Sequence, residues 1–255
     1  MPVGACRAAG AIDSMEQLSS TTQDRHANRV VFEAAMAETR DTFAVWNRDP
    51  GPVVGRWMLI SLGIALSMLI SIWVVSNFGQ PDPFIRLPNI FGDPRLADAV
   101  RVFTRNSLVL ALHAFVCIAG FMAMRTLPAQ AELRRGFDRW IHHNAGRFTM
   151  VFVTAATLFS ITTQVYLLGN MVQDLAYVMG VGQGELVITT LPHAVVELTA
   201  VFLPLAAFLL ASRHRQWEQL LAATAVTVMV AVPMLVLAAL TEAYLWPLLL
   251  RNLVA

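Results

Sequence analysis

Apolar positions gather into five long runs, separated by stretches where charge, proline and glycine concentrate. They cover about Trp57–Phe78, Ser107–Met124, Phe148–Leu168, Leu186–Ala211 and Leu220–Pro247. Crossing the hydrocarbon core of a bilayer takes roughly 20 such residues in a helix. The pattern therefore predicts an all-α, polytopic membrane bundle with five transmembrane helices within residues 51–255. Gly-Pro punctuation opens the first run, and Asn77, Gly79 and Pro81 close it. The second ends before Arg125 and Pro128, and the third continues helical towards Tyr177. Pro204 in the fourth run and Pro233 in the fifth each remove a backbone donor and should kink or break the helix. Pro192 has two readings, either inside the fourth helix or in its first turn, where a missing N–H costs little. On the second reading Glu185 and Leu186 belong to a separate re-entrant or interfacial segment.

Outside the runs, residues 1–13 are rich in Ala and Gly and read as a disordered tail. Within residues 14–50, Ser14–Asn47 reads as one cytoplasmic juxtamembrane helix, with Val30, Val31, Ala34, Ala35 and Phe43 among Arg and Glu. Such a helix lies on the bilayer, packs under the bundle or docks a partner. The segment from Gly79 to Asn106 carries four prolines and then a short amphipathic helix around Leu96–Phe103 at the outer interface. The segment from Arg125 to Arg147 holds Arg134, Arg135, Arg139, Trp140, His142 and His143, the composition of a lipid-facing anchor.

Composition sharpens this picture. Hydrophobic residues make up 56% of the chain and mean hydropathy is +0.59, above the range of a soluble domain. A net charge of +1 offers no basic face to nucleic acid. All eighteen basic residues are Arg, and thirteen fall on one side of the alternating spans if the N-terminus is cytoplasmic. The positive-inside rule then puts the N-terminus inside and the C-terminus outside the cytoplasmic membrane. Cys6 lies in the tail and Cys117 in an apolar run, so no disulfide framework is expected. The first fifty residues lack the apolar core of a cleavable signal peptide, which makes the first run an uncleaved anchor.

Polar residues inside the runs are the candidate chemistry. They are His113, Gln164, Asn170, His193, Glu197 and Glu242. A carboxylate at mid-membrane depth costs roughly 2–3.5 kcal/mol, so it is seldom left there without a partner or a task. His193 and Glu197 share one helix face, four residues apart, and linear counting brings Glu242 to a similar depth. The two acids would share a proton, or His193 would hold a positive charge between them. Three readings follow: a neutralised cluster that locks helix packing, a proton or cation path, and a metal-dependent hydrolase. The last lacks a His-Glu-x-x-His motif and needs Glu242 or His113 as third ligand. No serine nucleophile motif, phosphate loop or other cofactor signature is present, and no cofactor or metal is expected.

Leu191-Pro192-His193-Ala194-Val195-Val196-Glu197-Leu198-Thr199-Ala200 resembles the Pro-His-Gly-x-x-Glu-x-x-Ala signature of the stage II sporulation protein M family. Glu242-Ala243 with Pro247 is similar to that family's closing Glu-Ala-x-x-x-Pro. Asn106 with Gly120, and Asn170 with Gly180, also fit. Ala194 replaces the usual glycine, and Met171 follows Asn170 where the family often has glycine. The resemblance covers about Asn106 to Pro247. It implies a non-enzymatic, multi-span scaffold or channel-like subunit of an envelope-remodelling complex, working with partners such as a peptidoglycan hydrolase. The expected partners are thus the lipid bilayer, other envelope proteins and further copies of the chain. A proton- or ion-coupled transporter is the alternative, and an intramembrane metal hydrolase the next.

Overall fold

The computed structural model describes residues 29, 33–34, 36–46, 48–82, 95–132 and 135–254, and every regular element among them is helical. Five helices are long and apolar enough to cross a bilayer, so the chain is an all-α, multi-pass membrane bundle. We label them α1 (Gly51–Ser76), α2 (Leu96–Phe121), α3 (Gly136–Met179), α4 (Gln183–His214) and α5 (Leu220–Leu240). The expected tail 1–13 and the start of the Ser14–Asn47 helix lie outside the described residues. Residues 36–46 are helical and sit under the bundle, with Trp46 edge-on to Trp57 at 5.2 Å and Glu38 paired with Arg125.

Several boundaries differ from the expectation because helices run on past the bilayer. The short interfacial helix around Leu96–Phe103 is the first part of α2, since no glycine or proline interrupts the chain before Ser107. The segment Gly169–Glu185, between the third and fourth apolar runs, is helical for most of its length. α3 continues to Met179, ends at Gly180 in the left-handed conformation that glycine tolerates, and α4 starts at Gln183. Glu185 caps that start, its Oε2 accepting the Gly182 N–H at 3.0 Å. Pro192 is therefore interior to α4, and no separate re-entrant segment precedes it. The stretch Arg125–Arg147 is likewise helical over Leu127–Ala131 and again from Gly136.

Prolines shape two helices in a way the runs did not suggest. α2 passes through a π-helical turn at Met122–Thr126 and resumes over Leu127–Ala131, while α5 passes through Thr241–Leu245 and resumes over Trp246–Val254. The next N–H, of Leu127 or Trp246, bonds the carbonyl five residues back, and a proline follows at once. A proline ring crowds the carbonyl four positions earlier, and a widened turn just before it gives the ring room. Pro192, Pro204 and Pro233 sit in uninterrupted α-helix. Near Pro204, neighbouring helices supply donors. Cys117 Sγ reaches the Pro204 carbonyl at 3.2 Å, Ser61 Oγ reaches Thr199, and His113 reaches Val201. Backbone at membrane depth requires such satisfaction.

α4 is the axis of the bundle, with 61% of its spanning window buried against 6% for α3. It packs on α1, α2 and α5. α2 runs in the same direction as α4: Asn106 meets Glu197, His113 meets Val201, Cys117 meets Pro204, and Gly120 underlies Phe208. α1, α3 and α5 run the other way. We call the face where α1 begins and α4 ends proximal, and the opposite face distal. Between α4 and α5 the core is built on Ala200, Ala206, Ala207, Ala223 and Ala231, with Leu203 and Leu235. In lipid no hydrophobic force drives helices together, so small side chains that let backbones approach hold the pair. Gly169 serves the α1–α3 contact similarly, because a Cβ there would lie 2.6 Å from Val75 Cγ1 and 3.2 Å from the Ile72 carbonyl.

Candidate functional site

Three helices bring four polar side chains to one place in the distal half of the bundle. α4 contributes Glu197, α2 contributes Arg105 and Asn106, and the π turn after α5 contributes Glu242. The Asn106 side chain is buried and lies beside the Glu197 carboxyl group. Glu242 lies within electrostatic reach of Glu197, and Arg105 within reach of both acids. Two carboxyl groups thus face one guanidinium.

One turn towards the distal face a second rung repeats the α4–α5 pairing. His193 is buried and packs edge-on to Trp246, with ring centroids 5.8 Å apart and planes at 64°. Four residues separate His193 from Glu197, and four separate Glu242 from Trp246, so antiparallel helices stack the two pairs. The expectation that His193 sits between the carboxylates needs correction, because its ring is engaged by the indole. His193 Nδ1 and Trp246 Nε1 are both buried without a hydrogen-bond partner. Apolar layers close the site on both sides. Leu175, Ala176, Leu186 and Leu250 pack on the distal side with Trp246, and Leu110, Leu203 and Leu235 on the proximal side.

The other sequence candidates lie elsewhere. His113 packs on Phe202 at 5.6 Å and serves the α2–α4 contact, farther towards the proximal face. Asn170 sits at the distal end of α1, near Gly79 and Gln173. Gln164 is exposed on α3 and is not a buried polar group. Pro192 is exposed on α4, one residue from His193. His142 bonds locally to the Asp138 carbonyl at 2.8 Å, and among the described residues no three His, Cys, Asp or Glu side chains converge as a metal site would need.

Arg105 and Trp246 are the members sequence reasoning missed. Arg105 was counted with an outside segment, and the signal that finds it is the unbroken helical phase from Leu96 into the second span. Trp246 stands in the same segment as Glu242, and its four-residue offset from that acid matches the offset between His193 and Glu197. The chain matches no family model, no curated protein and no solved structure.

Proposed function

We propose that this protein is a non-enzymatic scaffold or channel-like subunit of an envelope-remodelling complex, similar to the stage II sporulation protein M family. It resides in the bacterial cytoplasmic membrane with its N-terminus inside and its C-terminus outside. The observation that carries this reading is spatial. Asn106, the Pro-His-x-x-x-Glu element and the Glu-Ala-x-x-x-Pro element lie up to 141 residues apart in sequence, yet Asn106, Glu197 and Glu242 converge at one site with His193 one turn away. Residues that resemble one family's signature have no reason to meet unless they serve a common purpose. The barely buried α3 leaves a long apolar surface for partner helices.

Photo-crosslinking groups placed along exposed α3 positions such as Phe152 and Phe159 test this in living cells. Capture of a cell-wall hydrolase or its membrane partner is the expected result. Capture of lipid and further copies of this chain alone would remove the scaffold.

A second reading, a proton- or ion-coupled transporter, draws on the excess acid enclosed between two apolar layers. Intramembrane carboxylates often mark ion routes. Glu197→Gln separates the two. A scaffold variant keeps its partner, whereas a transporter variant reconstituted in vesicles stays folded and loses pH-driven flux.

A further inference from the structure

A cleft of about 230 Å³ opens at the proximal face, where the start of α1, the end of α4 and the α4–α5 turn meet. Its walls include Trp46, Arg56, Trp57, Leu210, Gln216 and Gln219. The two indoles stand edge to face at 77° and make a rigid aromatic side. Arg56 is exposed, and among the described residues its guanidinium has neither an ion pair nor a hydrogen bond. Gln216 and Gln219 add side-chain amides, each with two N–H donors. Among the described residues no carboxylate lines the cleft. Asp49 and Glu218, the nearest acids in sequence, stand outside its walls.

The turn that builds this cleft is strained. Arg215 is the one described residue other than glycine with a left-handed backbone, at φ 57°. Glycine is the usual occupant of that position after a helix, and an arginine there pays for its Cβ. The turn carries the Gln216 N–H onto the Ala211 carbonyl at 2.9 Å, and both residues line the cleft. It also leaves Arg213 and Arg215 exposed beside it. A strained turn beside a concave surface that carries one cation, Arg56, and no acid among its described lining residues is a setting in which binding sites occur.

We propose that this cleft binds a phosphate group, with Arg56 as its principal ligand and Gln216 and Gln219 as amide donors. A guanidinium presents N–H groups in a fork that matches two phosphate oxygens, and amides satisfy the others. Trp46, half-buried at this face, suits the headgroup level of the bilayer, where phosphate is the abundant anion. The same chemistry suits an anionic lipid headgroup or a small phosphate ester from solution. This site is separate from the acid pair, and the proposal does not depend on the function assigned to that pair.

The test uses the full chain in two arms. In phosphatidylcholine nanodiscs, glycerol phosphate is titrated while tryptophan fluorescence is followed, with Trp46→Phe identifying the reporting indole. In phosphatidylglycerol nanodiscs, native mass spectrometry counts lipid retained after gentle delipidation. Binding in at least one arm is expected, weakened about tenfold by Arg56→Gln, the scale of one charge-assisted contact. Arg215→Gly relaxes the turn, so it should raise the melting temperature while weakening binding, a split that a purely structural turn would not show. Retained phosphatidylglycerol identifies a lipid, and a response to glycerol phosphate alone identifies a soluble ester. Should Arg56→Gln fail to fold, the exposed pair Gln216→Leu with Gln219→Leu replaces it. Absence of binding in both arms, or binding that these variants leave unchanged, overturns the proposal.

Discussion

Asn106 sets its side-chain amide against Glu197 inside the bundle, Asn106 buried and Glu197 partly so. Asn106→Leu keeps the volume and removes the donor, leaving the acid short of a partner. Interhelical hydrogen bonds in membranes are worth roughly 1–2 kcal/mol, and the loss should be of that size. Steric-trap or reversible detergent unfolding of Asn106→Leu, Glu197→Leu and the double variant checks it. The double variant should lose less than the sum of the singles, and strict additivity would show that the two groups are not coupled. Of the residues involved, the acids were legible because polar side chains in apolar runs draw the eye, and Asn106 only through the family resemblance. The partner of His193 was not legible. Periodicity says that His193 and Glu197 share a face, but which neighbour fills that face depends on the register of α5 against α4.

Helical elements were read well at their centres and poorly at their ends. Hydropathy locates the part of a helix that lies in lipid, whereas the backbone keeps its hydrogen bonds well into water. Hence α3 begins at Gly136 rather than near Phe148, and α2 begins at Leu96 rather than Ser107. The π turns were invisible for a different reason, since a proline signals a disturbance without saying which compensation the chain adopts. The turn at Thr241–Leu245 inserts an extra residue between Glu242 and the segment after Trp246. In Pro247→Ala the helix is free to tighten, and residues on either side of the turn rotate relative to each other by about 100°. One of the two α4–α5 rungs must then give way. Paired cysteines at positions 197 and 242, and separately at 193 and 246, should both join through a short cross-linker when Pro247 is present. With Pro247→Ala one pair should fall several-fold, and retention of both would show that the proline does not set the turn.

For the whole molecule, an odd number of spans places the two ends of the bundle on opposite sides of the membrane. Under the topology proposed from the arginine distribution, the proximal face is cytoplasmic. In a Cys6→Ser background, an impermeant maleimide applied to intact cells should label Phe78→Cys, which is exposed at the distal end of α1. It should reach Arg213→Cys only after permeabilisation, and the opposite pattern would invert the topology. The five-helix bundle could be foreseen from the runs, yet their arrangement around α4 could not. Near-equal hydropathy among spans carries no information about which one is central, and the alanines of α4 and α5 become meaningful only when seen facing each other.

The length of α3 has a mechanical consequence. Its 44 residues make a rod about 66 Å long, more than twice the thickness of the hydrocarbon layer. Near its proximal end Gly146 rests on Met124, and near its distal end Gly169 rests on Val75. Between those two glycines Val153, Val165 and Leu168 keep one stripe of the rod against the bundle, so it shifts as a stiff body along that seam. Displacement of the arm that overhangs at the proximal face is then carried along the rod to the distal face.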